Sequence, residues 1–251
     1  MATVSVLIIT LNEEKNIRRC LESVKWADEM ILIDAQSSDR TVEIAREYTD
    51  KIFIRKWEGF GGAKNFANRQ ASSDWLFWID ADEEVSPALA EEIKQTLDDP
   101  QADGYFVPRL ANFLGRWIKH SGWYPGYILR PVRRELAKFS DLQVHEGLIA
   151  PPKSAKLKNP LFHYTDPSIR HYFEKLNNYT SLAAMDLQKR GKQFRISDLI
   201  IRPLHIIVKM YILRCGFLDG FQGFLLALFS GVYVFVKYAK LWEIQKNHVQ
   251  E

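Results

Sequence analysis

Residues 75–83, Trp75-Leu76-Phe77-Trp78-Ile79-Asp80-Ala81-Asp82-Glu83, constrain the fold of this chain more than any other stretch. Five bulky, β-favouring side chains in a row predict a strand buried on both faces, as in a parallel sheet covered by helices. The run then breaks into acid. In open α/β sheets ligands bind beyond the carboxyl ends of the strands, so acids placed there face a site rather than a core. Residues two apart in extended chain point to one side, so the carboxylates of Asp80 and Asp82 are expected together. Paired carboxylates suit a hard divalent cation, Mg²⁺ or Mn²⁺, whose remaining positions go to water and phosphate oxygens. A solvated loop capping the next helix would carry the same acids.

The preceding residues repeat the pattern. Val4 to Leu11 is β-branched and apolar and ends at Asn12-Glu13-Glu14, after which Ile17, Cys20, Leu21 and Val24 recur at helical spacing with Asn12 as the expected N-cap. Met30 to Ile33 ends in Asp34 and leads through Gln36-Ser37-Ser38-Asp39 into a helix holding Val42 and Ala45. Lys51 to Trp57 reads as a strand, and Gly59-Phe60-Gly61-Gly62 opens a helix carrying Lys64. Ser86-Pro87 starts another, with Leu89, Ile93 and Leu97 on one face. Alternating strands and helices predict an α/β fold, a mainly parallel, Rossmann-like sheet with helices on both faces. Asn12, Glu13, Asp34, Asp80 and Asp82 then gather along one edge, with Lys64 at a helix start as a cation for phosphate. The glycines at 59, 61 and 62 match neither a dinucleotide fingerprint nor a P-loop and would equally well only turn the chain.

A chain of 251 residues with 47% hydrophobic and 26% charged residues is globular, and a net charge of +3 gives no reason to expect nucleic acid. Cys20 and Cys215, far apart among apolar neighbours, suggest neither a disulfide nor a metal site. No signal peptide is expected. Residues 101–165 read as further strands joined by an aromatic loop. Gly104 to Leu110 and Tyr127 to Val132 are expected strands, joined by a loop with Trp117, His120, Trp123 and Tyr124 that would stack on sugar faces or simply pack. Arg130, with Arg133 and Arg134, forms a basic cluster suited to phosphate. Within Gln143-Val144-His145-Glu146-Gly147, Glu146 is the candidate general base. His163 reads either as a further metal ligand or as a structural histidine.

Thr10-Leu11-Asn12-Glu13-Glu14, Asp34 to Thr41, Gly61 to Asn65 and Asp80-Ala81-Asp82, in this order and spacing, resemble the inverting family 2 glycosyltransferases with the GT-A fold. That resemblance implies a UDP-sugar donor, with Glu13 and Asp34 holding uracil and ribose, Lys64 near the base or phosphates, Asp80 on ribose and Asp82 on a divalent metal at the diphosphate. His145-Glu146 and the Gly-Phe-Leu-Asp-Gly segment at 216–220 are similar to the lipopolysaccharide-core branch, the heptose β-1,4-glucosyltransferases. The branch implies glucose moving from UDP-glucose to an inner-core heptose, a lipid-linked saccharide, and Glu146 as base.

Residues 166–251 form the other expected region, a helical membrane-association segment after a catalytic domain at 1–165 in which the resemblance makes 1–100 the nucleotide-sugar half and 101–165 the acceptor half. Asp166-Pro167 is expected to start a helix. From Gln188 to Arg214 seven basic residues stand against the single acid Asp198, interleaved with bulky apolar ones, as in amphipathic helices lying on an anionic leaflet. From Gly223 to Val236 the clean apolar run would extend about 21 Å as helix, short of a roughly 30 Å bilayer core, so in-plane attachment at the cytoplasmic face of an inner membrane is expected rather than a span. A buried hairpin or a homo-oligomer interface is the alternative for the same helices.

Overall fold

The computed structural model describes residues 2–56, 60–138 and 148–247. The elements run β1 (Val4–Thr10), α1 (Ile17–Ser23), β2 (Glu29–Asp34), α2 (Thr41–Ala45), β3 (Ile52–Ile54), α3 (Phe60–Gln70), β4 (Trp75–Asp80), β5 (Glu83–Val85), α4 (Pro87–Asp98), β6 (Gly104–Phe113), β7 (Arg116–Trp117), β8 (Gly126–Arg133), β9 (Ser154–Lys156), β10 (Leu161–Asp166), α5 (Ile169–Lys189), α6 (Ile196–Val208) and α7 (Gly220–Asn247). Among the described residues the strands form one mixed sheet in the order β3-β2-β1-β4-β8-β6-β10-β5, with β7 and β9 paired to β6. The chain divides into two compact units, 1–109 with 126–163, and 110–125 with 164–251.

In the first unit β3, β2, β1 and β4 are parallel, and side-chain alternation sends each strand's residues to opposite layers. Val6, Ile8, Phe77 and Ile79 pack with Ile17 and Leu21 of α1 and Leu89 and Ile93 of α4. Leu7, Ile31, Ile33, Leu76 and Trp78 pack with Ala67 of α3 and with Ala71 just after it on the other side. β4 is therefore covered on both faces, as its unbroken apolar run requires. α4 begins as its sequence predicts, with Pro87 at the first position and Ser86 Oγ accepting from the Leu89 N–H at 3.2 Å. α1 does not begin at Asn12. Its N-cap is Asn16, and Asn12 takes a left-handed φ of 56° in the loop before it.

Glu29 joins β2 to its neighbours. Its carboxylate, with the side chain 7% exposed, meets Lys51 Nζ and Ser5 Oγ and accepts from the Ser72 N–H and Oγ, both at 3.0 Å. Burial alone would raise this carboxyl, but the bonds from Lys51, Ser5 and Ser72 outweigh it and bring it down to about 2 from 4.5. A depressed carboxylate stabilises the fold above its unfolded pKa, and that contribution is lost as pH falls through the folded value. Here it is about 3 kcal/mol, present above pH 4.5 and lost towards pH 2. Glu29→Gln should lower stability at neutral pH and flatten the acid limb of a denaturant titration between those two values.

The second unit is largely helical. α5 starts after Ser168, whose Oγ accepts from the His171 N–H at 3.2 Å, and not at Asp166, which ends β10. A π-helical turn (Lys209–Leu213) and a 3₁₀ turn (Gly216–Asp219) separate α6 from α7. Asp219 is nearly fully buried and accepts from the N–H groups of Lys119 (3.1 Å) and His120 (2.9 Å), with His120 Nδ1 at 3.0 Å. The acid that interrupts the apolar run in sequence thus belongs to a turn. Beyond that turn α7 runs for 28 residues, about 42 Å. Gly216–Lys246 is long and apolar enough to cross a bilayer, where the shorter clean run alone was not. α7 also packs on α6, for a β-carbon on Gly231 would stand 2.7 Å from the Ile207 side chain. This long apolar C-terminal helix is consistent with membrane association.

Candidate active site

Parallel registers decide which strand ends meet. Thr10 pairs with Asp34 and Ile9 with Asp80, so the polar residues closing β1, β2 and β4 all lie at the C-terminal end of the sheet. The first two loops are laced together: the Asn12 N–H donates to Ser37 Oγ and the Ser38 N–H to Asn12 Oδ1, both at 2.8 Å, while the Glu13 N–H donates to Thr41 Oγ1 at 2.8 Å. Asp34 is fully buried beneath this loop, where it accepts from Ser37 N–H (2.8 Å) and Oγ (2.5 Å). It therefore shapes the loop rather than presenting an open carboxylate.

The turn after β4 separates the two acids that extended chain would have put side by side. Asp80 ends the strand, residues 81 and 82 turn, and β5 begins at Glu83. Asp80 Oδ2 accepts from Arg130 Nη2 at 2.9 Å and its N–H donates to Glu83 Oε2 at 3.0 Å. Asp82 goes elsewhere: β10 pairs antiparallel with β5, setting His163 opposite Glu83, and His163 Nε2 stands 3.3 Å from Asp82 Oδ2. The two expected metal ligands are thus adjacent. Carboxylate plus imidazole is a donor set that fits Mn²⁺, with substrate oxygens completing the shell, better than Mg²⁺, which favours oxygen ligands alone. No group of three or more His, Cys, Asp or Glu side chains placed to hold a metal ion occurs among the described residues.

Glu83 was not anticipated. It is completely buried, Arg130 Nη2 lies 2.9 and 2.7 Å from its two oxygens, and Arg109 Nη1 is 3.5 Å away. Burial pushes this carboxyl up against the pull of Arg130. Burial also acts on Asp80, but Arg130 and then Lys64 overcome it and hold that carboxyl below its usual range. Lys64, in the first turns of α3, is thereby placed within electrostatic reach of the acidic end. The Arg130 guanidinium is held by both acids, and its own pKa is raised despite burial.

Arg130, Arg133 and Arg134 do not form the expected phosphate cluster. β8 runs antiparallel to β4 with Arg133 opposite Trp75, so the later arginines are carried back to the far end of the sheet. There Arg133 bonds Asp103 at 3.0 Å and lies over Trp75. A cavity of about 430 Å³ between Trp75, Asp98 and these arginines sits at that same end, away from the acids. His145 and Glu146 lie outside the described residues.

A signal for Glu83 was present in the chain. Glu83-Glu84-Val85 alternates as a short strand, and an arginine inside the apolar run Tyr127 to Val132 needs a buried carboxylate.

Comparison with known proteins bears on this edge. The family model described as glycosyl transferase family 2 matches residues 5–150. An uncharacterized glycosyltransferase of Rickettsia typhi is 31% identical over 97% of this chain and 88% of its own length. The lipopolysaccharide core biosynthesis glycosyltransferase LpsC of Rhizobium meliloti is 29% identical over 95% of this chain and 92% of its own. Among solved structures, the mannosyltransferase PcManGT of Pyrobaculum calidifontis, in complex with GDP-Man and Mn²⁺, superposes with a TM-score of 0.57 at 14% identity, covering 96% of this chain and 87% of that one. Strand order, the acidic edge and a family match over more than half of the residues agree: the chain belongs to glycosyl transferase family 2 and is a glycosyltransferase with a GT-A-like fold.

Proposed function

We propose that this glycosyltransferase is inverting and metal-dependent, moving a hexose, glucose from UDP-glucose, onto a lipid-linked saccharide whose acceptor is a lipopolysaccharide inner-core heptose. The observation that carries the reading is the convergence of Asp80, Asp82, His163 and the Asn12–Ser37 loops at one end of four parallel strands. The LpsC relative supports the acceptor class.

In this reading the loop residues Asn12, Glu13 and Asp34 form the base and ribose end of the donor site, Lys64 faces the phosphates, and Asp80 orients the ribose. Arg130 acts as a positioning residue: fixed on Glu83, it holds Asp80 in place. Asp82 and His163 would hold the divalent cation, which supplies charge stabilisation at the leaving diphosphate. Glu146 takes the proton from the attacking hydroxyl as it approaches C1 opposite the nucleotide. Residues 1–165 form the catalytic domain and 166–251 its attachment to the cytoplasmic leaflet. Exposed Ile196, Ile200, Leu204, Val208 and Ile212, spaced by four along α6 and the turn after it, support in-plane contact with lipid.

Purified protein with Mn²⁺ should be offered UDP-glucose and GDP-mannose against heptose-terminated core and polyprenyl phosphate. Transfer from UDP-glucose to heptose with inversion at the anomeric carbon, read by NMR, is the expected outcome. Transfer onto polyprenyl phosphate overturns the acceptor assignment, and retention of configuration overturns the role of Glu146.

A further inference from the structure

Tyr238 of α7 is buried beneath three cations. Lys237 Nζ lies 5.0 Å, Arg202 Cζ 5.2 Å and Lys192 Nζ 6.0 Å from the centroid of its ring. A single carboxylate serves two of them: Asp198 accepts from Arg202 Nε at 2.6 Å and from Lys192 Nζ at 2.9 Å. Lys237 makes no ion pair among the described residues. Its neighbours are the faces of Tyr238 and, at 5.9 Å, Tyr233. Burial, reinforced by the charge of Arg202, lowers its ammonium from the usual lysine range. Three positive charges and one negative around one ring leave an excess of two, partly out of water, where an uncompensated cation is costly.

The surroundings say which anion would compensate them. Arg202 keeps half of its side chain exposed, so part of its guanidinium fork is open to a ligand. Elsewhere on α6, Ile201 is 64% and Leu204 57% exposed, and on α7 Phe235 and Trp242 are about half exposed. A soluble anion gains nothing from such a rim, whereas an amphiphile gains from both parts. A guanidinium pairs two oxygens of one phosphate, and an ammonium beside it takes a third.

We propose that Arg202, Lys237 and Lys192 around Tyr238 form a binding site for the phosphate of a membrane lipid headgroup, with the acyl chains lying on the exposed side chains of α6 and α7. The inference rests on the membrane attachment proposed above and adds a defined headgroup site to it.

Full-length protein is sedimented with phosphatidylcholine vesicles and with vesicles containing phosphatidylglycerol, at one salt concentration. Arg202→Gln with Lys237→Gln should lower partition onto the anionic vesicles by about tenfold or more. Lys189→Gln with Lys209→Gln removes the same charge from the same region and should leave most of the binding. Equal losses in the two pairs overturn the site in favour of diffuse attraction, and release by millimolar glycerol phosphate overturns the lipid assignment. Wild-type protein that ignores both vesicles overturns the membrane attachment itself, an outcome distinct from unchanged binding in the variant. Lys237→Met, which keeps the apolar stem against the two tyrosines, repeats the test should the double variant fail to show the wild-type circular dichroism and melting.

Discussion

Arg130→Met is expected to lower unfolding free energy by about 3–5 kcal/mol, the range for removing one partner of a buried ion pair, and to leave no measurable transfer. Arg130 bridges Asp80 and Glu83, and Glu83 has no exposed surface on which its charge could be hydrated. Methionine fills much of the volume but offers no donor. Only Arg109, 3.5 Å away and itself one-third exposed, remains as an ion-pair partner of Glu83 among the described residues. The variant should respond to pH in a recognisable way. A carboxyl whose folded pKa is raised contributes stability that is full below its unfolded value, 4.5 for Glu83, and is lost as pH rises through the folded value. Without Arg130 that rise is larger, so chemical denaturation should find Arg130→Met closest to wild type in acid and furthest from it at neutral pH. Adding Glu83→Gln removes the stranded charge and should recover part of the stability without recovering transfer, since Asp80 would still lack its anchor. Wild-type stability at neutral pH in Arg130→Met would show that the pair carries no structural load.

Much of this site was readable before any coordinates. The apolar run at Trp75 and the β-branched run at Val4 can only be central strands, and parallel strands share a direction, so the acids that close them had to share an edge. What sequence could not supply was the path of the chain after Asp80. Extended geometry placed Asp82 beside Asp80, but a turn at 81–82 divides them, sending Asp80 to Arg130 and Asp82 to His163. The partners come from β8 and β10, far along the chain, and β10 carried too little apolar alternation to be read as a strand. The same long-range pairing misled the reading of Arg130, Arg133 and Arg134. Adjacent in sequence, they are drawn apart because an antiparallel strand carries each successive residue further from the edge. Asp219 misled it in the opposite direction. An acid beside an apolar run suggests a polar break, but Asp219 is the buried acceptor that closes the turn before α7, and the helix outruns the clean run mainly at its other end, from Lys237 to Asn247.

Asp82→Asn and Glu146→Gln should both abolish useful turnover, yet for different reasons that binding and kinetics separate. Asp82 lies in the turn outside the Arg130–Glu83 pair, and its side chain is one-quarter exposed, so amide replacement should leave melting unchanged. It removes the carboxylate that stands 3.3 Å from His163, and hard divalent cations rely on such charge. Donor-site calorimetry with UDP and Mn²⁺ should therefore show weaker binding in Asp82→Asn, and the Mn²⁺ needed for half-maximal rate should rise, with kcat/KM down by about a thousandfold at limiting metal. Glu146→Gln should bind UDP and Mn²⁺ as wild type does, because a general base touches the acceptor and not the diphosphate. Its loss should fall on kcat, by about 10²–10⁴. Asp82→Asn retaining wild-type Mn²⁺ dependence would remove the metal role from Asp82, and Glu146→Gln with impaired UDP binding but normal kcat would move that residue from acceptor to donor. The pair thus tests the two halves of an inverting transfer, leaving-group stabilisation and nucleophile activation, by separate measurements.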